Sequence, residues 1–159
     1  MTARTTTRKK SPPLNTLIPE LACTSFKTSL EFYTKALGFS ILYQRPESGF
    51  AMLERQGSQI MIDEIVPGNK RSWFAAPADP PFGRGINLSI ATTEIDALYA
   101  HVQKAGTKIF LPIEDRWYRC DNIYLGCRQF IVLDPDGYLL RMTEDLGETE
   151  TPPNDPLHC

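Results

Sequence analysis

The stretch RQFIVLDPDGYLLR, residues 128–141, contains the clearest structural signal in the chain. Two strand-like runs, 128–133 and 138–143, flank the tetrapeptide Asp134-Pro135-Asp136-Gly137. Proline presets φ in a turn, glycine accepts positive φ, and aspartate side chains bond to nearby backbone amides. The segment therefore predicts two strands joined by a tight turn.

The residues before this hairpin predict a strand followed by a helix. Residues 85–92 read as a strand, and Thr93 can cap the helix that follows. The apolar positions at helical spacing are Ile95, Leu98 and Val102. Gly106 ends the helix, and strand-like runs return at 107–111, at about 116–120 and at 128–133.

The first half of the chain repeats this order. Residues 14–23 are apolar enough for a strand, which Pro19 restricts to an edge or a chain start. Thr24 or Ser25 can cap a helix that Gly38 terminates. Its apolar face consists of Phe26, Leu30, Tyr33 and Leu37. Strand-like runs follow at 39–45, 50–55 and 58–65, with turn residues between them.

This repeat of roughly 70 residues predicts an α+β fold of two βαβββ modules. Each module is expected to be a curved mixed sheet with one helix, and the two are expected to pair through their open sheet faces to form a ligand groove. The predicted divisions are a disordered basic tail (1–13), a first module (14–65), a linker (66–84), a second module (85–146) and a disordered acidic tail (147–159).

Composition and charge exclude several classes of protein. The 159 residues are 42% hydrophobic and 23% charged, and no apolar run approaches the ~20 residues that span a bilayer. The N-terminus has no apolar stretch typical of a secretory signal. The four cysteines, Cys23, Cys120, Cys127 and Cys159, form no CxxC pair, which favours free thiols in a reducing cytosol and a cytoplasmic location.

The charged ends favour solvated tails. Residues 1–13 carry four basic side chains and no acid, whereas residues 144–159 carry five acids and no lysine or arginine. The alternative for the basic N-terminal segment is an arm that binds nucleic acid. No basic stripe with aromatic residues follows it in the rest of the chain. We therefore expect neither a nucleic-acid nor a membrane partner.

Several of these stretches resemble the vicinal oxygen chelate superfamily, which includes glyoxalase I, extradiol dioxygenases and bleomycin resistance proteins. The stretches that carry the resemblance are LIPELACTS (17–25), SLEFY (29–33), LGF (37–39) and RQFIVLDPDGYLLR (128–141). Four others are most similar to the bleomycin-resistance branch, namely YQRPE (43–47), FA (50–51), IDALY (95–99) and WYR (117–119). The resemblance covers about residues 14–146.

The resemblance implies that the enzymes' metal site is lost here. Enzymes of the superfamily hold a divalent metal with His, Glu or Gln from both modules. The matching positions are Ile18, Asn87, Arg141 and either Asp63 or Glu64. Isoleucine and arginine cannot coordinate a cation, and the only histidines are His101 and His158. We expect no metal, no other cofactor and no catalytic residue, with Arg141 paired to Asp63 or Glu64.

The candidate ligand-binding residues are aromatic, acidic or polar side chains in segments that can line a groove. They are Phe50, Asp63, Trp73, Phe74, Asn87, Trp117, Tyr118 and Arg141. Aromatic rings at a groove stack on planar ligands, although core packing is the alternative for each of them. Arg141 has the further alternative of binding an anionic group of a ligand.

Three functions stay open at this point. The resemblance to bleomycin resistance proteins implies a homodimer, possibly with exchanged modules, that sequesters a bleomycin-type glycopeptide antibiotic without chemistry. The alternatives are a metal-dependent lyase or dioxygenase of the same superfamily, and a protein that binds another small-molecule metabolite.

Overall fold

The computed structural model describes residues 12–66 and 79–151, which form two four-stranded sheets and their helices. The first module contains β1 (Glu20–Cys23), α1 (Phe26–Glu31), a π-helical turn (Phe32–Ala36), β2 (Ser40–Arg45), a 3-10 turn (Pro46–Ser48), β3 (Phe50–Arg55) and β4 (Ser58–Glu64). The second contains β5 (Asn87–Ala91), α2 (Ile95–Lys104), β6 (Ile109–Cys120), β7 (Ile123–Leu133) and β8 (Leu139–Thr149).

The two sheets share one topology. Sheet 1 has the order β1-β4-β3-β2, and sheet 2 has the order β5-β8-β7-β6. In each sheet the first strand pairs in parallel with the last strand of its module, and the remaining pairs are antiparallel. The predicted α+β class with two βαβββ modules is confirmed.

The structure corrects several predicted element boundaries. The first strand begins at Glu20 rather than near residue 14. The runs predicted at 107–111 and 116–120 are one strand, β6, whose pairing with β7 is interrupted by irregular register. β8 continues to Thr149 and so includes three residues that were assigned to the acidic tail.

The helix caps follow the prediction in one module only. Ser25 is the N-cap of α1, and its hydroxyl accepts a hydrogen bond from the Thr28 amide. The prediction that Thr93 caps α2 is wrong, because the N-cap residue is Glu94 and its side chain makes no capping bond. The Ile95 amide instead donates to Glu144 Oε2 at 3.1 Å, so a carboxylate from β8 stabilises the positive end of this helix.

The hydrophobic core lies between the two modules on the sides of the sheets that carry the helices. One continuous cluster contains Leu21, Ala51, Leu53, Ile60 and Ile62 from sheet 1 and Ile90, Phe130, Val132, Leu140 and Met142 from sheet 2. Tyr33 and Leu37 from the first helical segment and Leu98 and Val102 from α2 complete it. The modules therefore contact each other through their helical layers.

The turn between β7 and β8 joins the modules through two buried carboxylates. Asp134 Oδ2 accepts a hydrogen bond from the Tyr33 hydroxyl at 2.8 Å, while its Oδ1 accepts from the amides of Asp136 and Tyr138. Asp136 Oδ1 accepts from the amide and hydroxyl of Thr24, and its Oδ2 accepts from the Ser29 hydroxyl. Both aspartates are buried, so these bonds are shielded from water.

The remaining residues of the turn fit closely against their surroundings. Gly137 has a φ of +89°, and a Cβ at this position would collide with Pro81. Burial raises the pKa of Tyr138 to about 12, and the Asp134 carboxylate adds to the rise, whereas a hydrogen bond with the Ala22 backbone opposes it. Tyr138 therefore also ties the turn to β1 of the first module.

This arrangement differs from the expected pairing of the modules. The open sheet faces were expected to bury against each other within one chain. The helical layers meet instead, so the open faces lie on opposite sides of the shared core. Within residues 12–66 and 79–151, none of the helices is long and apolar enough to cross a membrane.

Replacement of Tyr33 by phenylalanine tests the bond between the modules. The change leaves Asp134 Oδ2 buried without its donor, so we expect the free energy of unfolding to fall by about 1–3 kcal/mol. Urea denaturation followed by circular dichroism measures the loss. Tyr99→Phe is the matched control, because the Tyr99 ring packs on Phe130 in the same core. Equal stabilities of the two variants would contradict the importance of this bond.

Candidate functional site

Strand alternation divides the residues of each sheet between the core and an open face. The open face of sheet 1 is formed by Glu20, Ala22, Tyr43, Arg45, Phe50, Met52, Gln59, Met61 and Asp63. The open face of sheet 2 is formed by Asn87, Ser89, Glu114, Arg116, Tyr118, Leu125, Cys127, Gln129, Ile131, Leu139, Arg141 and Thr143. These two surfaces contain most of the predicted ligand-binding residues.

An aromatic and cationic stack occupies the open face of sheet 1. Phe50 is 6% exposed, and the Tyr43 ring lies nearly parallel to it with centroids 5.9 Å apart. The Arg45 guanidinium lies over the Phe50 ring, 3.9 Å from its centroid. Arg45 is directly opposite Phe50 across the β2–β3 ladder. Tyr43 is two residues before Arg45 on β2, so all three side chains lie on the same face of the sheet.

A pair of carboxyl groups lies beside this stack. Asp63 is directly opposite Phe50 across the β3–β4 ladder, and Glu20 projects from the neighbouring strand on the same face. Partial burial raises the pKa of Glu20, and the charge of Asp63 and a hydrogen bond with it raise that pKa further, against a smaller lowering by Arg45. The charge of Asp63 therefore opposes ionisation of Glu20, and a nearby cation would offset that repulsion.

The open face of sheet 2 carries a polar network instead of an aromatic stack. Gln129 is 4% exposed, and its Oε1 accepts from the Tyr118 hydroxyl at 3.1 Å while its Nε2 donates to Glu114 at 3.0 Å. Arg116 pairs with Glu114 at 2.9 Å, and this bond is the main reason that the pKa of Glu114 is lowered. The network fixes the orientation of the Gln129 amide and the Tyr118 ring.

Arg141 does not have the partner that the sequence predicted. It is the third residue of β8 and pairs with Ser89 on one side and Ile131 on the other, on the open face of sheet 2. Glu64 points to the core side of sheet 1 and accepts from the Phe26 amide, so it is not available to Arg141. In the described part of the chain Arg141 forms no ion pair, and its buried Nε has no hydrogen-bond partner.

Trp117 and Tyr118 are separated by the alternation of β6. Tyr118 belongs to the open face, whereas the Trp117 indole covers Gly126 on the other side of the sheet, where Leu146 also lies against Gly126. A Cβ at Gly126 would lie 2.7 Å from Trp117 Cη2, so the indole occupies the space that a side chain there would need. Trp117 is thus farther from the open face than its sequence position implied.

The structure thus brings together two groups of predicted residues. Phe50 and Asp63 share the open face of sheet 1, while Asn87, Tyr118 and Arg141 share the open face of sheet 2. Trp73 and Phe74 lie outside the described residues. Sequence reasoning missed Glu20, Tyr43, Arg45 and Gln129. The signal was available, because alternation along the strands places these side chains on the same faces as Phe50 and Arg141.

The residues at the superfamily's metal positions do not fit a divalent cation. Ile18 and Arg141 offer no lone pair for coordination, and Glu64 is turned toward the core. Among residues 12–66 and 79–151, no three His, Cys, Asp or Glu side chains are gathered closely enough to hold a metal ion. On the open face of sheet 1, Glu20 and Asp63 form an interacting pair of carboxyl groups.

Replacement of Asp63 by asparagine tests this pair. Loss of the neighbouring negative charge lowers the cost of ionising Glu20, so we expect the pKa of Glu20 to fall. A carboxyl-carbon NMR titration of Glu20 measures the change. Glu54→Gln, on the same strand as Phe50 but not among the groups that shift Glu20, is the control. An unchanged pKa in the Asp63 variant would show that the carboxyls do not interact.

Comparison with known proteins connects this geometry to a family. The family model of the Glyoxalase/Bleomycin resistance protein/Dioxygenase superfamily matches residues 16–142. Curated proteins from Geobacillus stearothermophilus and Staphylococcus aureus, each named bleomycin resistance protein, are 30% identical to this chain over 140 residues. These alignments cover 81% of this chain and 96% of each relative.

Solved structures show the same fold at lower identity. TioX from Micromonospora sp. ML1 has a TM-score of 0.62 and 22% identity, covering 82% of this chain and 98% of that one. A glyoxalase/bleomycin resistance protein/dioxygenase from Nocardioides has a TM-score of 0.61 and 23% identity, covering 92% and 91%. At these identities the likeness concerns the fold alone.

Proposed function

Because the chain belongs to the glyoxalase/bleomycin resistance protein/dioxygenase superfamily, we propose that it binds a bleomycin-type glycopeptide antibiotic and sequesters it without chemical conversion. The observation that carries the proposal is the 30% identity to curated bleomycin resistance proteins along 96% of their length. An alignment of that extent includes both modules, and therefore both open faces.

The open face of sheet 1 supplies the surface for a planar ligand group. The Tyr43 ring and the Arg45 guanidinium are both stacked on Phe50, at 5.9 Å and 3.9 Å from the centre of its ring. Stacking of this kind adds about 0.5–1.5 kcal/mol per pair beyond the burial of area. The neighbouring Glu20 and Asp63 carboxyls favour positive charge on the same ligand.

The groove itself requires two copies of the chain. Within one chain the open faces lie on opposite sides of the core, so neither can close over a ligand held by the other. We therefore place the groove between the open face of sheet 1 of one copy and the open face of sheet 2 of its partner. A two-fold axis then creates two equal grooves from one contact.

We propose binding without catalysis because of the residues at the metal-ligand positions of the superfamily. Recognition by stacking and charge needs no ion, and Ile18 and Arg141 replace the groups that would coordinate one. Capture of a drug present at micromolar concentration needs a dissociation constant near or below that concentration. This corresponds to a binding free energy of about −8 kcal/mol or better. A groove built from two sheet faces offers enough area for such an affinity.

Calorimetric titration with metal-free bleomycin tests the function. We expect stoichiometric binding by the full chain and affinity about 5–10-fold weaker in Tyr43→Ala, which removes one ring from the stack. Tyr124→Ala is the control, because Tyr124 projects from the other side of sheet 2. No binding by the parent protein would exclude the antibiotic. Turnover of a substrate that depends on an added divalent metal would instead support an enzyme.

Sedimentation velocity tests the two-copy groove. We expect the parent protein to sediment at twice the 17.9 kDa mass of the chain, and Leu125→Glu to dissociate it and weaken bleomycin binding. Leu125 is 43% exposed on the open face of sheet 2, so the charge disrupts association rather than folding. Leu146→Glu, at a similarly exposed leucine on the Trp117 side, should stay dimeric. Full binding by a monomeric parent would overturn the shared groove.

A further inference from the structure

We propose that the open face of sheet 2 also contains a site for the carboxylate of a small apolar acid, with the Arg141 guanidinium as its anchor. This site is separate from the aromatic stack of sheet 1. It goes beyond the proposed function and does not rest on antibiotic binding.

The first observation is that Arg141 carries a charge without a partner. Its backbone is held in the ladder between β5 and β7, and its Nε is enclosed by protein and makes no hydrogen bond. The residue as a whole is only half-buried, so solvent reaches the outer part of the side chain. A guanidinium stays charged at all physiological pH values, and enclosing such a charge without a partner is unfavourable. An anionic ligand would remove that penalty.

No neighbouring acid of the described chain neutralises this charge. Two acids share this face, Glu114 and Asp145, and Glu114 is bonded to Arg116 and Gln129. Asp145, four residues further along β8, forms no ion pair with Arg141 and accepts from the Gly147 amide. Within reach of Arg141 on β5, the same-face side chains are Asn87 and Ser89, which are neutral, exposed and able to donate hydrogen bonds to an oxyanion.

The second observation is a cavity at the adjoining end of the same sheet. It has a volume of about 780 Å³, and its apolar lining includes Phe110, Leu133 and Leu139. Leu139 precedes Arg141 by two residues on β8, which places the two Cα atoms roughly 7 Å apart on one face. Arg141, Asn87 and Ser89 lie outside the lining of the cavity, so an acid bound there would have to extend past Leu139 along the sheet to bring its carboxylate to Arg141.

The charges around the cavity also favour an acid. Lys108 and Arg84 line it, and the Arg84 guanidinium bonds to the backbone carbonyls of Pro81 and Asp79 rather than to a carboxylate. The two acids in the lining, Asp134 and Asp136, direct their carboxylates to the first module. A planar carboxylate can accept two parallel hydrogen bonds from the guanidinium of Arg141. A spherical anion cannot accept both bonds with the same geometry.

The test uses octanoate as the probe and octanamide as its neutral counterpart, both titrated calorimetrically into the full chain. We expect octanoate to bind at least 10-fold more tightly than octanamide, and Arg141→Gln to abolish that preference. Arg119→Gln, at an exposed position near the end of β6, should keep it. Inorganic phosphate should compete only weakly, because it has no body to fill the cavity.

Thermal unfolding separates a ligand site from a structural role. Removal of an unpaired enclosed charge should leave the ligand-free Arg141→Gln protein as stable as the parent or more so, and octanoate should raise the melting temperature of the parent only. Equal binding of octanoate and octanamide, unchanged preference in Arg141→Gln, or phosphate binding as tight as octanoate would each overturn the assignment. Bleomycin titration of the same samples keeps this outcome distinct from that of the proposed function.

Discussion

The hydrogen bonds of Asp134 and Asp136 to the first module are the constraint on which the arrangement of the molecule depends. Each carboxylate is buried and reaches Thr24, Ser29 or Tyr33 on the helical side of sheet 1. Because both acceptors belong to one short turn, they fix the distance and the angle between the modules together. The helical layers are thereby held in contact, and both open faces are left available for ligands or for a second copy. Without those bonds, buried carboxylates would be costly, so the arrangement is strongly preferred over alternatives.

The periodicities of the sequence were sufficient to predict the two βαβββ modules. Alternation in the strands, the stripe from Phe26 to Leu37 and the turn at 134–137 are local features, and the structure follows them closely. The side through which the modules pair was not predictable, because it depends on bonds between residues more than 100 positions apart, such as Tyr33 and Asp134. The same limit explains the misplaced cap of α2, which comes from Glu144 on a distant strand. Trp117 and Tyr118 were assigned together because adjacency in sequence was given more weight than alternation along β6.

The candidate site shows how one scaffold supports different chemistry. The position of Arg141 on the last strand is where the superfamily's enzymes usually offer a glutamate, and an arginine there cannot coordinate a cation. On sheet 1, Arg45 covers Phe50 while Glu20 and Asp63 stand beside it, so that face favours flat and positively charged groups. The two faces therefore differ in both side-chain type and charge, and a ligand held between sheet 1 of one copy and sheet 2 of another would meet two unlike surfaces.

The contact of the modules through their helical layers has a consequence for how specificity changes during evolution. Side chains of the open faces alternate with those of the core along each strand, and few of them contribute to the buried cluster. A substitution at such a position alters what the surface recognises while the packing behind it stays intact. The scaffold thus separates the residues that keep it folded from those that choose its ligand, and relatives of this chain are free to diverge in binding preference at little structural cost.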